Sequence, residues 1–124
     1  MKIDEIVFEA AGAVAVEAGD ADAAPLSELE GTRLEGVRVW QRETPWGRLE
    51  LVELEAGSSL PLHSVDRAAI CQVVRGRGRV GLADGRELPF EAPHLFTFAA
   101  GAVHSWHSIE QPTLISVCVV DEPE

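Results

Sequence analysis

The 124-residue chain predicts an all-β fold, a sandwich or barrel of antiparallel strands, on three observations. About eight short runs of apolar and alternating residues follow one another at near-regular spacing, with Gly, Pro and Asp between them. No helical period persists past residue 33. Two of the runs flank Ala83-Asp84-Gly85, and Asp-Gly between strand-like runs signals a hairpin, because its central residues tend to need positive φ. Length indicates one domain, and a chain of this size buries roughly two-thirds of its unfolded surface, enough for an ordinary core.

The segment from Ile3 to Val16 reads as one or two short strands, with a helix as the competing reading. Glu17 to Pro25 reads as a loop, broken by Gly19 and Pro25. Ser27 and Glu30 have capping-box spacing and predict a short capped turn. From Arg33 the pattern is β: Val37, Val39 and Gln41 alternate with Arg38, Trp40 and Arg42. Pro45-Trp46-Gly47 is a turn, and residues 49–55 form a strand with a bulge expected at Leu51-Val52, where alternation slips. Ile70–Val74 is an apolar strand, with bends at Gly76 and Gly78. Arg79–Leu82 and Arg86–Phe90 form the hairpin, and Leu95–Phe98, Ser105–Ile109 and Thr113–Val120 complete the set. The expected organisation is an acidic N-terminal segment, residues 1–32, able to supply extra edge strands, and a barrel over residues 33–124.

The formal charge is −11. Residues 1–31 hold eight acids and one base, whereas the remaining 93 hold 13 acids and nine arginines. This balance argues against nucleic acid and anionic membrane surfaces as partners, and leaves room for an arginine-lined anion pocket in the second part. Arg75, Arg77 and Arg79 share strand parity and would project together unless Gly76 and Gly78 bend the chain. Two cysteines, Cys71 and Cys118, are too few for a disulfide scaffold and read as buried thiols. No apolar run reaches membrane-spanning length, and the N-terminus lacks a signal-peptide pattern, so a cytoplasmic location is the expectation.

Chemistry concentrates between Gly57 and Ser108. Gly57, His63 and Gly76 resemble the first motif of the cupin superfamily, and Gly101 and His104 resemble the second. Val65 stands at that family's second histidine, Ala69 at its glutamate, Pro93 at the first glycine of the second motif, Ala99 at the proline and Ser108 at the asparagine. The resemblance implies an antiparallel double-stranded β-helix (jelly-roll) barrel. In that family three histidines and a carboxylate hold one ion, usually iron, manganese, nickel or zinc. Here only His63 and His104 remain as metal ligands, with Cys71 as the third donor to consider. The cofactor is then a divalent ion (zinc, iron, nickel or copper) or none.

Parity carries the rest of the pocket. If position 69 faces inward, as the resemblance implies, so do Cys71 and Val73. Trp106 and Ser108 share the parity of His104, and Val65 shares that of His63. Val65, Ala69, Cys71, Val73, Trp106 and Ser108 therefore form the expected ligand pocket, mostly apolar with a few polar groups. His107 should face outward, and His94 should lie near a turn. The leading functional expectation is a stand-alone barrel that binds a small organic ligand and forms a homodimer. The alternatives are a metal-dependent oxygenase or isomerase using His63 and His104, and a non-catalytic regulatory or interaction module.

Overall fold

A computed structural model describes residues 1–8 and 11–121. Fourteen strands are formed by the described residues, in the order β1 (Lys2–Phe8), β2 (Val14–Asp20), β3 (Ala24–Pro25), β4 (Glu28–Leu29), β5 (Thr32–Arg33), β6 (Val37–Thr44), β7 (Gly47–Leu54), β8 (Leu60–His63), β9 (Ala68–Arg75), β10 (Arg77–Leu82), β11 (Glu87–Glu91), β12 (His94–Phe98), β13 (His104–His107) and β14 (Thr113–Val120). Two sheets make the barrel, a six-stranded one ordered β12-β9-β14-β7-β6-β3 and a four-stranded one ordered β11-β10-β13-β8. The described pairings in both are antiparallel. The pairs β1-β2 and β4-β5 stand apart as ribbons. No helix among the described residues is long and apolar enough to cross a membrane.

Period-two alternation builds the core. In β9 the buried Ala69, Cys71 and Val73 alternate with outward Ala68, Ile70 and Gln72. In β14 Thr113, Ile115 and Val119 are buried. These rows meet Leu54, Val80, Phe90 and Trp106 in one apolar interior. Burial of a fully enclosed side chain of this kind contributes about 2 kcal/mol. The chain passes from one sheet to the other at Gly76, between β9 and β10. Its φ of 109° is one that L side chains rarely adopt, and a Cβ there would lie 2.6 Å from Thr113 Cα.

Several local expectations are corrected. The strand β2 continues through Glu17 to Asp20, because Glu17, Ala18, Gly19 and Asp20 pair with Glu5, Asp4, Ile3 and Lys2; ladder pairing overrides the weak strand propensity of that stretch. No capped helical turn forms at Ser27. Glu30 and Gly31 instead both take positive φ (49° and 83°) as the two-residue turn of the β4-β5 hairpin. The strand β7 carries no bulge at Leu51-Val52, since its registers with β6 and β14 are continuous. The shifts fall instead between Leu114 and Ile115 and between His104 and Trp106. The strand expected over Ser105–Ile109 is β13, His104–His107. It stops where Ser108 turns left-handed, at φ 52°. The arginine stripe is divided, with Arg75 ending β9 in one sheet and Arg77 and Arg79 lying on β10 in the other.

The crossing at Gly76 generates a prediction. Gly76→Ala should destabilise the protein by about 3 kcal/mol, combining positive-φ strain with overpacking against Thr113. Gly85→Ala, whose Cβ would meet open space at φ 89°, should cost about 1 kcal/mol from strain alone. Urea denaturation of the two variants checks this, and equal losses would show that the Thr113 approach is not the limiting contact.

Candidate functional site

The pairing of β8 with β13 places His63 directly opposite His104, with ring centroids 4.5 Å apart and planes tilted by 53°. The Nδ1 of His63 lies 2.7 Å from the Pro61 carbonyl oxygen, and that of His104 lies 3.2 Å from the Ala102 carbonyl oxygen. A carbonyl only accepts, so each Nδ1 carries the proton and donates. In the neutral ring each Nε2 is then a free acceptor. No buried side-chain nitrogen or oxygen among the described residues lacks a partner, so the unpartnered Nε2 atoms reach open space rather than sealed core. That space is a cavity of about 310 Å³ lined by both histidines.

The surroundings of His104 are aromatic. Its ring stacks on Phe98 (centroids 3.9 Å, interplanar angle 15°) and meets Trp106 edge-on at 6.2 Å. Only 5% of the residue is exposed. Burial pushes its pKa down to about 4 from 6.5; the Ala102 hydrogen bond opposes the shift, and His63 adds a small push the same way. Phe90 and Phe96 brace Trp106 at 5.4 and 5.7 Å. The face of the imidazole is thus fixed by packing, not by charge.

Of the expected pocket residues, the cavity brings together Val65, Ala69, Cys71 and Trp106 with the two histidines. Two do not belong. Val73 is fully buried in the core, away from the cavity lining. Ser108 is exposed beyond the end of β13, where its left-handed backbone breaks the alternation, and its Oγ lies 2.9 Å from His107 Nδ1. His107 faces outward as expected and contacts Glu87 at 3.2 Å. His94 stacks on Phe96 at 4.1 Å.

A second polar group in the lining escaped the sequence reading: Gln41, Arg48 and Glu50. Arg48 Nε donates to Glu50 Oε1 at 2.7 Å, with both side chains mostly buried. Registers carry the connection across the six-stranded sheet: Gln41 pairs with Glu50, Glu50 with Val117, and Val117 with Cys71. All four therefore share the inner face. The signal was present in the parity of Val39 with Gln41 and of Glu50 with Val52, but a bulge placed at Leu51-Val52 separates the latter pair.

The residues do not fit a catalytic metal centre. Among the described residues no group of three His, Cys, Asp or Glu side chains could hold an ion. Cys71, the expected third donor, lines the cavity but does not complete such a group. Its thiol is pushed up to about 12, first by burial and then by the charge of Glu50. Val65 and Ala69 offer no donor atoms.

No family model matches the sequence, and no curated protein matches it. Solved structures do. The chain superposes on the cupin domain of Cnp3 from Schizosaccharomyces pombe with a TM-score of 0.67 at 15% identity, over 97% of this chain and 88% of that one. A cupin 2 conserved barrel domain protein from Rhodopseudomonas palustris gives 0.68 at 14%, over 97% and 81%. The polyketide cyclase RemF from Streptomyces resistomycificus gives 0.67 at 18%, over 85% and 78%. The chain has the cupin fold, a double-stranded β-helix. Its structural neighbours are small conserved-barrel cupins, some of unknown function, together with diverse enzymes.

The buried imidazole predicts a pH dependence. Because the folded pKa of His104 lies below its unfolded value, the unfolded chain binds more protons between pH 6.5 and 4. Stability therefore rises with pH through that window, by on the order of 2 kcal/mol from this residue. Urea denaturation across the window should show a shallower slope for His104→Phe than for the wild type; identical slopes would mean the ring titrates normally in the folded protein.

Proposed function

We propose that the barrel binds a small, largely apolar organic molecule bearing a hydroxyl or comparable hydrogen-bond donor, which the Nε2 atoms of His63 and His104 accept. The observation that carries this reading is the occupation of both Nδ1 positions by backbone carbonyls, beside a cavity walled by Val65, Ala69, Cys71, Trp106 and Ile115. Two neighbouring imidazole acceptors select a ligand that donates. Apolar walls select its body. An organic occupant is in keeping with the likeness of the fold to the polyketide cyclase RemF. A neutral imidazole beside a hydroxyl can also take its proton, so the same geometry serves binding and general-base chemistry.

Matched ligands test the reading. In thermal-shift titrations, small aryl and alkyl alcohols should raise Tm, and the corresponding methyl ethers, which cannot donate, should not. His63→Phe or His104→Phe should weaken alcohol binding by about 10-fold, and Trp106→Ala should weaken alcohols and remove any residual ether binding. Elemental analysis of untagged protein purified without chelator covers the metal-enzyme alternative. Near-stoichiometric iron, nickel, copper or zinc that disappears in the His63→Phe/His104→Phe variant would replace the donor-ligand reading with a metal site. Equal response to alcohols and ethers would remove the role given to the imidazoles. A wild type that responds to neither alcohols nor ethers, and whose behaviour the pocket substitutions leave unchanged, would favour the non-catalytic module.

A further inference from the structure

The cavity is polar at two ends and apolar between them. Arg48, Val119, Ala69 and Phe98 form one inward row across the six-stranded sheet. His104 stacks on the Phe98 end of that row, and His63 lies opposite His104. Three interstrand steps separate the ends of the row, roughly 14 Å of backbone, and the inward side chains shorten the gap from both sides. Val119 and Ala69 lie between, with Val117 and Cys71 on the same strands in the next row. The imidazole end is the deeper one, since His104 is only 5% exposed. At the other end Arg48 and Glu50 are mostly buried, whereas Gln41 is exposed at the rim. Half-buried Leu26 and Leu29 complete the lining there, and β4 packs on β8 across the gap between the sheet edges.

The chemistry of the shallow end differs from that of the imidazoles. Arg48 and Glu50 spend one donor and one oxygen on each other at 2.7 Å. Arg48 Nη1 lies 3.9 Å from the carboxylate of Glu43, beyond hydrogen-bond reach. The Nη groups of Arg48, the second oxygen of Glu50 and both polar atoms of the Gln41 amide remain for a ligand. No buried side-chain nitrogen or oxygen among the described residues lacks a partner, so these atoms meet the open cavity rather than sealed core. Donors and acceptors therefore stand side by side. A carboxylate would gain from Arg48 and be repelled by Glu50 and Glu43. An ammonium would leave the N–H groups of Arg48 and Gln41 without an acceptor. A neutral group that accepts through one atom and donates through its neighbour satisfies both kinds of partner.

We propose that Gln41, Arg48 and Glu50 form a second specificity site, and that the ligand of this cavity has two polar ends. A hydroxyl or comparable donor enters first and meets the imidazoles. A carboxamide, urea or lactam follows and is held at the rim, with a short apolar spacer over Val119 and Ala69. The assignment rests on the reading of the cavity as a site for a donor-bearing organic molecule, and it adds the class of the second functional group. It also gives the Arg48–Glu50 pair a role that its balanced charge does not suggest, as a template for a neutral amide.

Calorimetric titration of the full chain with a matched series tests this. The probes are benzyl alcohols that differ at the para or meta position: carboxamide, methyl, N,N-dimethylcarboxamide, carboxylate and aminomethyl. The carboxamide should bind about 10-fold tighter than the methyl compound, and the dimethylamide and carboxylate should lose that gain. Gln41→Leu should narrow the gap. The double variant Arg48→Met/Glu50→Leu, which removes the ion pair without stranding one of its charges, should close it. Far-UV circular dichroism checks that both variants fold, and Gln41→Leu, at an exposed position, carries the test alone if the double variant does not. Equal binding of the carboxamide and methyl compounds to the wild type would overturn the proposal. So would tightest binding by the carboxylate or the aminomethyl compound, or a carboxamide gain that survives in both variants. Methyl ethers of the carboxamide and methyl compounds separate the two readings. Ethers that match their alcohols while the carboxamide gain persists would remove the role of the imidazoles and leave the rim contact standing. Ethers that lose affinity while carboxamide and methyl compounds bind alike would do the reverse. Silence of every probe at millimolar concentration would overturn both.

Discussion

The register between β8 and β13 constrains everything the cavity can do. Sliding either strand by one residue would send one imidazole to the outer face. As it stands His104 lies opposite His63, and the shift that follows brings Trp106 opposite Leu60, one step further on than Pro61, its partner in a regular ladder. That irregularity lets β8 present both His63 and Leu60, which have opposite parity, to the cavity beside His104 and Trp106 of β13. The aromatic group then fixes the ring. Phe98 stacks on one face of His104, and Phe96 and Phe90 brace the indole beside it. The low pKa of His104 is a consequence of this packing, and with it comes an imidazole that stays neutral and accepting at ordinary pH.

The fold was largely legible because a strand writes its two faces into alternate residues. The motif positions on β8, β9 and β13 followed from that alternation plus the family resemblance, and Val65, Ala69, Cys71 and Trp106 arrive in one cavity. The misses have identifiable causes. Parity says which face a residue occupies but not how deep along the barrel it lies, so Val73, inward as expected, is in the core rather than the cavity. Ser108 fails because parity assumes extended backbone, and a non-glycine residue in the left-handed region is uncommon enough that nothing in its local sequence announces it. Gln41, Arg48 and Glu50 were hidden by a bulge assigned to an alternation slip. The slip arises because Leu49 and Leu51 are apolar on the outer side as well.

The cavity combines two polar regions of different character. The histidine pair offers the lone pairs of its Nε2 atoms, since both Nδ1 positions face backbone carbonyls. Arg48 and Glu50 are a partly buried ion pair whose charges offset each other, joined by Gln41. A pair of this kind is weak evidence for stability, because desolvation consumes much of the Coulombic gain. Its geometric effect is clearer. Bound to Glu50 and facing Glu43 at 3.9 Å, Arg48 is not a free cation awaiting an anion. The arginine-lined anion pocket that composition allowed is therefore not what this cavity presents. Burial, and after it the charge of Glu50, keeps the Cys71 thiol protonated, which makes Cys71 part of the apolar wall.

The doubly apolar character of the central strands ties the inner cavity to the outer face. The strand β14 runs Thr113 to Val120 without a charge, and the Ile70–Val74 stretch of β9 is likewise uncharged. Inward residues explain only half of each run: Ile115, Val119, Ala69, Cys71 and Val73. A strand solvated on its outer side normally alternates apolar with polar, whereas near-continuous apolar runs belong to strands covered on both faces. The four-stranded sheet obeys the first pattern, with Arg77, Arg79 and Glu87 outward on β10 and β11. The six-stranded sheet follows the second although only half of its outer face is covered within one chain. The same period-two alternation thus sets two independent surfaces on shared strands. Substitutions at Ala69, Cys71 and Val73 of β9 act on the interior, those at Ala68, Ile70 and Gln72 act on the outer face, and neither need disturb the other.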